Sequence, residues 1–410
     1  EYRKKDCVIL YFIGLTESYE GEGYDRKNLK IPQNQEELLA EIAETVGKDH
    51  IAAISFGGAP MDFSFEKNVG AILHMYLGGQ AVGESVADLI SGEVNPSGKL
   101  AETIPFSEKD TPAWRYFAPP NDDVEYRESI FVGYRYYETF HVPVKYPFGY
   151  GLSYTSFSYS ELSVPEVYSG GKIQIGFKIK NIGKVSGAEI AQLYICPIES
   201  DVIRSHIELK GFQKIYLHPG EEKEVILELD ERSFSVYDVE KKAFSMLSGK
   251  YQICIGASVH DLQLKANMEV VGNSYFRNER ELFPDYFREQ PHGMEISAEQ
   301  FYQLLGGEPK HDKEKKRGEY TVYDSYQDVV NVSMFGKFVR GVVHIGLKII
   351  LRGKSERDPA FKMVKMGVEE GNLEGLIATS GGIATPKLID MLVYNANKKY
   401  LQAVKRLLKK

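Results

Sequence analysis

The first hundred residues alternate between short apolar runs and amphipathic stretches. Continuous apolar runs with β-branched and aromatic members, at residues 7–13, 51–56 and 71–77, predict buried strands. Apolar residues at helical spacing predict helices over residues 35–46 and 82–90. Strand, helix and strand in this order predict a parallel sheet with right-handed crossovers, and therefore an α/β domain.

Two changes of pattern follow along the chain. Residues 105–155 are dominated by Pro, Asp, Tyr and Gly and have no hydrophobic period, which predicts a long connection over a surface. From residue 157 to about 271, apolar and polar positions alternate in short runs separated by turn signals such as NIGK, HPGEE and LSGK. This alternation predicts antiparallel strands packed as an all-β, immunoglobulin-like sandwich.

The last part of the chain has helical patterns. Residues 306–318 are a charged, Gly-containing linker. Residues 335–351 have helical periodicity, with these apolar residues on or near one side: Phe335, Phe338, Val339, Val342, Val343 and Ile349. Thr385-Pro386 predicts the start of a closing helix that continues to Leu408. The basic ends of both helices suit either an anionic membrane surface or packing onto the body of an enzyme, and we favour packing.

These patterns divide the chain into four parts. We expect an α/β domain at residues 1–104, a connecting segment at residues 105–156, a β-sandwich at residues 157–272, and a linker with a helical tail at residues 273–410.

Composition narrows the classes of function. Apolar residues make up 43% and charged residues 26% of the chain, as in ordinary soluble proteins. The formal net charge of −8 argues against a nucleic-acid partner, which usually selects a basic patch. No stretch of 18 uncharged apolar residues exists, so no membrane span is expected.

The cysteines and motifs predict neither a metal nor a cofactor. Cys7, Cys196 and Cys254 each lie in an apolar run, which is typical of buried, unbridged cysteines and suggests a reducing, cytoplasmic location. The cysteines and histidines lack metal-ligand spacing, and no phosphate-binding glycine motif follows a predicted strand.

The segment with the most candidate catalytic side chains is GLTESYEGEGYDRKNLKIP, residues 14–32. It follows the carboxyl end of the first predicted strand, where open parallel sheets bind ligands. It contains four carboxylates, at Glu17, Glu20, Glu22 and Asp25. On residue types alone, such an acidic loop is more often a solvated surface than a catalytic one.

An ordered set of motifs resembles family 3 glycoside hydrolases. The run EGEGYDR, followed by Ile31-Pro32, is similar to the acid/base loop of that family. Further matching runs follow in the family's order over roughly residues 7–270: FGGAP (56–60), LGGQAVGESVADLISGEVNPSGKLAETIP (77–105), FVGYRYYE (131–138), YPFGYGLSYTSFSY (146–159), KNIGKVSGAEIAQLYI (180–195) and ELKGFQKIYLHPGEEKEV (208–225). No single run is decisive, but the ordered set is specific.

The resemblance implies a fold and a chemistry. It implies part of the family's α/β sandwich domain followed by a fibronectin type III-like domain, from the β-glucosidase branch of the family. The catalytic acid/base carboxylate falls on Glu22, with Glu20 the neighbour most easily confused with it, and Arg26 is expected to brace the loop through an ion pair. The nucleophilic Asp of the family lies in a (β/α)8 barrel, which these residues do not contain.

Substrate and partners follow from the same resemblance. We expect a β-linked glucoside or oligosaccharide as substrate, no cofactor, and a barrel domain supplied by a longer parent or by a second chain. These residues alone are then expected to be inactive, and the strand at residues 7–13 to expose apolar surface. The alternative interpretation is a non-catalytic module that binds carbohydrate or protein.

Two further motifs are expected to have structural roles. NPSG (95–98) is typical of a turn rather than of a binding site. The alternating aromatic residues of FVGYRYYE are expected to pack rather than to stack on a sugar.

Overall fold

The computed structural model describes residues 7–21, 25–117, 124–272, 278–309, 315–352, 358–369 and 371–408. The chain divides into two compact units. The first unit consists of residues 1–12 and 28–309, and the second consists of residues 13–27 and 310–410.

The amino-terminal part of the first unit is the expected α/β domain. Its elements are β1 (Ile9–Gly14), α1 (Gln33–Val46), β2 (Ile51–Phe56), β3 (Ala71–His74) and α2 (Val82–Ser91). The strands form one sheet in the order β1-β2-β3, with β2 and β3 parallel. Helix α1 buries Leu39 completely and ends at Gly47, whose φ of 87° favours glycine. Strand β3 ends three residues before the predicted limit, because Tyr76 adopts a φ of 49° that an extended strand does not accommodate.

The connecting segment contributes to a core instead of running over a surface. It contains β4 (Ile104–Pro105), α3 (Tyr134–Thr139) and β5 (Val144–Tyr146), and β4 pairs antiparallel with β5. Helix α3 buries Tyr134, Tyr136 and Tyr137. The aromatic residues of this segment therefore pack, as the sequence suggests.

The all-β part is a sandwich of antiparallel strands with one short parallel pair. Its strands are β6 (Phe157–Ser163), β7 (Val167–Tyr168), β8 (Ile173–Asn181), β9 (Gly187–Pro197), β10 (Glu208–Leu217), β11 (Glu222–Leu229), β12 (Ser235–Asp238), β13 (Ala243–Met246), β14 (Gly249–Gly256) and β15 (Leu262–Val270). One sheet has the order β10-β9-β14-β15-β7 and the other β11-β8-β6, while β12 and β13 form a separate hairpin. On β8, Ile175, Phe177 and Ile179 alternate with more exposed positions and enter the core, as the two-residue period requires.

Residues 278–309 belong to the first unit, although the sequence analysis grouped them with the tail. They contain α4 (Glu279–Leu282) and α5 (Ala298–Leu305). Phe283 and Tyr286 share a core with Phe131 and Tyr136 of the connecting segment. The Tyr136 hydroxyl also donates to the Gln290 carbonyl at 2.7 Å.

The second unit is helical in its carboxyl-terminal part. Its helices are α6 (Tyr326–Asn331), α7 (Met334–Ile350), α8 (Pro359–Glu369), α9 (Leu373–Thr379), α10 (Pro386–Ala396) and α11 (Tyr400–Leu408). Thr385 caps α10 by accepting from the Leu388 amide at 3.3 Å, with Pro386 at the first helical position, as expected. The predicted closing helix is broken into α10 and α11, because Asn397 turns its side chain to the backbone of Gly318 and Tyr320 and Lys398 adopts a φ of 58°.

The apolar residues of α7 lie on or near one side of the helix at about 100° per residue, as the sequence predicts, but only part of that side is covered. Phe335 and Val343 pack against the core of the second unit. Phe338, Val342 and Ile349 are exposed. Within the described ranges, no helix combines the length and the apolar character needed to cross a membrane.

Candidate active site

The first stem of the acidic loop belongs to the second unit. The Thr16 carbonyl accepts from the amides of Tyr19 at 2.8 Å and Glu20 at 3.0 Å, which closes a tight turn directly after β1. Lys362 of α8 donates from Nζ to the Ser18 carbonyl at 3.2 Å. The carboxyl-terminal helices therefore hold this stem of the loop, a contact that the sequence did not indicate.

The proposed acid/base residue Glu22 lies outside the described residues, which resume at Asp25. Its neighbours Glu20 and Arg26 are described and interact electrostatically. Burial lowers the pKa of Arg26, and the nearby negative charge of Glu20 opposes that shift. This interaction is consistent with the expected bracing role of Arg26.

The second stem of the loop belongs to the first unit. The Asn28 side chain accepts from the Lys30 amide at 3.0 Å, and the Leu29 carbonyl accepts from the Asp62 amide at 2.7 Å. Ile31 and Pro32, which follow the EGEGYDR run, are both buried. The stem is thus fixed immediately before α1.

A polar cluster lies at the carboxyl ends of β2 and β3. Ser55 Oγ and His74 Nδ1 are 2.9 Å apart, and the His74 ring lies 4.1 Å from the Tyr76 ring between centroids. Burial lowers the pKa of His74 to about 4, against the opposing effect of a hydrogen bond with Ser55. Ser55 is completely buried, so this pair cannot present a nucleophile to a substrate.

Two carboxylates extend this cluster. Burial, together with the negative charge of Glu102, raises the pKa of Tyr76. Glu66 accepts a hydrogen bond from the Tyr146 hydroxyl at 2.7 Å and pairs with Lys145. Burial tends to raise the pKa of Glu66, but the hydrogen bonds from Lys145 and Tyr146 outweigh it and lower the pKa. The sequence analysis missed this cluster, although its position at the carboxyl edge of a parallel sheet was a usable signal.

The NPSG motif has the structural role that its composition suggests. Asn95 accepts from Ser153 Oγ at 3.0 Å and from the Tyr154 amide at 2.8 Å, and it donates to the Ser186 carbonyl at 3.1 Å. These bonds join the segment after α2 to the β-sandwich. Nearby, Lys99 forms an ion pair of 2.9 Å with the buried Glu189 of β9.

The cysteines and the metal-binding residue types do not cluster as metal ligands in the described part of the chain. Among the described residues, no group of three or more His, Cys, Asp or Glu side chains is arranged to hold a metal ion. All three cysteines are free; Cys196 and Cys254 are buried with their sulfurs 3.8 Å apart. Cys7 is exposed, so the expectation that it is buried is wrong; it precedes β1, a strand that leaves one face uncovered.

Comparison with known families agrees with this architecture. The glycosyl hydrolase family 3 C-terminal domain matches residues 1–154, and the fibronectin type III-like domain matches residues 189–259. Among solved structures, a GH3 β-glucosidase from Bifidobacterium adolescentis aligns with a TM-score of 0.63 at 37% identity, over 65% of this chain and 40% of that one. A Kluyveromyces marxianus β-glucosidase in complex with glucose aligns with a TM-score of 0.60 at 35% identity, over 64% of this chain and 32% of that one.

Curated relatives have glycosidase names and are much longer. The thermostable beta-glucosidase B of Acetivibrio thermocellus is 44% identical over 265 residues, which cover 64% of this chain and 35% of that protein. An exo-alpha-(1->6)-L-arabinopyranosidase of Bifidobacterium breve is 37% identical over 67% of this chain and 36% of that protein. The chain thus spans about a third of the length of these relatives. Residues 1–154 and 189–259 therefore belong to domains found in the carboxyl-terminal part of family 3 glycoside hydrolases.

Proposed function

We propose that this chain is the acid/base-bearing part of a retaining β-glucosidase that acts on β-linked glucosides or oligosaccharides. Glu22 is the general acid/base, and the nucleophilic Asp comes from a barrel domain that lies outside these 410 residues. The family match and the β-glucosidases among the relatives support the reaction class.

The chemistry requires two carboxyl groups about 5 to 5.5 Å apart. The Asp attacks the anomeric carbon and forms a covalent glycosyl-enzyme, while the Glu22 carboxylic acid gives its proton to the departing glycosidic oxygen. The Glu22 carboxylate then takes a proton from a water molecule, which attacks the anomeric carbon and releases both the sugar and the Asp. Acid/base assistance of this kind typically contributes about 10²–10⁴-fold.

The observation that best supports this role is the place where the acidic loop begins. The loop leaves the carboxyl end of β1, the edge at which parallel sheets bind ligands. Its first stem is held by the bond from Lys362 to the Ser18 carbonyl. A held stem suits a general acid, which needs a fixed orientation.

One face of β1 supports the existence of the covering domain. Val8, Leu10 and Phe12 alternate along the chain and expose 64%, 41% and 58% of their surface. An apolar strand face of this kind is unfavourable in water and suits a protein partner. We propose that the barrel-bearing polypeptide covers it, as part of a longer parent or as a second chain.

The first experiment compares these 410 residues alone with the same residues joined to, or co-expressed with, the barrel-bearing polypeptide. The residues alone should not hydrolyse p-nitrophenyl β-glucoside, because the nucleophile is absent. Turnover by the isolated chain that disappears in Glu22→Gln would contradict the proposed division of the site.

The second experiment identifies the acid/base in the active assembly. Glu22→Gln should lower kcat/KM for a natural disaccharide by about 10²–10⁴-fold, whereas the matched variant Glu20→Gln should change it much less. For a 2,4-dinitrophenyl glucoside the bond-breaking step should slow far less, since that leaving group needs little protonation. Azide, which needs no deprotonation, should restore turnover of Glu22→Gln and yield a glucosyl azide.

Two results would overturn the assignment. A larger loss in Glu20→Gln than in Glu22→Gln would move the acid/base role to the neighbouring carboxylate. An assembly that binds gluco-oligosaccharides without cleaving them would favour a binding module.

A further inference from the structure

A described cavity lies entirely within the first unit and has no lining residue in the acidic loop. It has a volume of about 1100 Å³ and is lined by the connecting segment, the ends of β9 and β14, and the chain after α4. This volume slightly exceeds the usual range of about 300–1,000 Å³ for small-molecule sites. No step of the proposed glycosidase chemistry uses this cavity.

Arg204 is the most unusual residue of the cavity wall. Only 6% of its surface is exposed. Its Nη1 donates to the Tyr251 hydroxyl at 3.0 Å, and its guanidinium carbon lies 5.3 Å from the centre of the Tyr251 ring. Its Nε is buried without an acceptor. Among the described residues, no carboxylate lies within ion-pair distance of Arg204.

A buried guanidinium without a counter-ion is unfavourable, because burial removes water without supplying negative charge. The Tyr251 ring and hydroxyl compensate only partly, since both are neutral. Buried arginines in proteins are normally paired with a carboxylate or a phosphate, often through two parallel hydrogen bonds. Arg204 can still form such a pair with an anion that enters the cavity.

The other charges of the cavity wall are of both signs. Lys250 is exposed at the wall, and three carboxylates, Glu199, Asp201 and Glu289, line the cavity as well. Asp201 is paired with Arg280 at 3.1 Å. Burial and the neighbouring His141 lower the pKa of His206, so this ring carries little charge near pH 7. Arg204 is therefore the group that favours an anion. The aromatic side chains of Phe140 and Phe287 complete part of the wall and suit the body of an organic molecule.

We propose that this cavity binds a small organic anion, whose carboxylate or phosphate group pairs with Arg204. Lys250 attracts the anion at the rim, His206 offers it a hydrogen bond, and the aromatic wall contacts its body. None of the residues that line this site belongs to the acidic loop.

The test uses three ligands with one ring in common. Glucose is neutral, glucuronate carries a carboxylate, and glucose 6-phosphate carries a phosphate; inorganic phosphate is the fourth probe. Calorimetry and thermal melting of the full chain should show binding of at least one of the two sugar anions and no effect of glucose. The binding constants of glucuronate and glucose 6-phosphate show whether the site prefers the carboxylate or the phosphate. Binding of inorganic phosphate without binding of either sugar anion would contradict an organic ligand.

Substitutions of the lining residues test whether the anion binds in this cavity. Arg204→Gln should weaken the binding constant by at least tenfold, whereas Arg232→Gln, which removes an arginine that lies over Phe244 elsewhere in the sandwich, should leave it unchanged. If Arg204→Gln does not fold, Lys250→Gln combined with His206→Asn provides the test at exposed positions and should weaken binding severalfold. Equal binding by all variants, or no response to either sugar anion, would overturn the proposal. A purely structural Arg204 predicts a lower melting temperature for Arg204→Gln and no effect of anions on any variant.

Discussion

Asn95 and Ser186 are joined by a hydrogen bond of 3.1 Å from the Asn95 side-chain nitrogen to the Ser186 carbonyl, across 91 positions of the chain. The same side chain accepts from Ser153 and from the Tyr154 amide. A short turn motif therefore connects the α/β domain to the first residues before β9. This bond links the two domains of the first unit.

Asn95→Ala should destabilise the first unit. Three hydrogen bonds are lost and the Tyr154 amide loses its acceptor, which predicts a cost of about 1–3 kcal/mol. Trp114 is the single tryptophan and lies in the first unit, so urea denaturation followed by its fluorescence measures this change. Asn267→Ala, at an exposed cross-strand contact on β15, is the control and should stay within about 0.5 kcal/mol of the unsubstituted protein. Equal midpoints for both variants would contradict the role of Asn95.

Asn397→Ala should destabilise the second unit. The Asn397 side chain accepts from the amides of Gly318 at 3.0 Å and Tyr320 at 2.9 Å and donates to the Tyr320 carbonyl at 2.7 Å. Loss of these bonds at a residue that is 9% exposed predicts a cost of about 2–3 kcal/mol. The matched control is Asn395→Ala, whose side chain, among the described residues, donates to the Met391 carbonyl within α10. Hydrogen exchange at the Tyr320 amide should accelerate in Asn397→Ala alone; unchanged protection there would argue against this contact.

His74 should make the stability of the first unit depend on pH. Its pKa is about 4 in the folded state, below the ordinary value of about 6.5, because burial disfavours the charged ring. The unfolded chain therefore takes up a proton before the folded protein does. Stability should fall as the pH is lowered from about 6.5 towards 4, and it should be unaffected by this group above 6.5.

The measurement is the urea midpoint of Trp114 fluorescence between pH 7.5 and pH 4.5. His74→Gln should flatten the decline, whereas His344→Gln, at an exposed position on α7, should retain it. The same slope in all three proteins would show that other groups determine the acid response.

The three thiols should differ sharply in reactivity. Cys7 is exposed, while Cys196 and Cys254 are buried. The hydrogen bond between the two buried thiols, together with burial, raises the pKa of Cys196, so its thiolate is scarce as well as inaccessible. A disulfide-exchange reagent should label one thiol in the native protein and all three in guanidinium. Cys7→Ser should leave none labelled in the native state, and rapid labelling of that variant would contradict the burial of the pair.

Local determinants explain which elements the sequence predicts well. The two-residue alternation of β8 places Ile175, Phe177 and Ile179 inside the sandwich, and Thr385-Pro386 starts α10 as expected. In both cases the controlling interactions lie within a few residues of each other, so a short window contains them.

Long-range contacts explain the differences. The break between α10 and α11 depends on Gly318 and Tyr320, which lie 79 and 77 positions from Asn397. The exposure of Phe338 on α7 depends on which neighbours cover the helix, and periodicity alone cannot show how much of an apolar side is covered. The packing of residues 278–309 onto the connecting segment depends on aromatic pairs such as Phe131 and Tyr286, separated by most of the first unit.

The sequence by itself determined the order of the domains, the family resemblance and the choice of Glu22, because each of these rests on ordered local motifs. Only the tertiary structure decided that Val8, Leu10 and Phe12 are uncovered, that Lys362 holds the loop stem at Ser18, and that Arg204 is buried with no carboxylate of the described residues in ion-pair distance. The physical reason is that burial and charge pairing are properties of neighbours in space. The residue type limits the interactions that a side chain can make, and the fold determines which of them form.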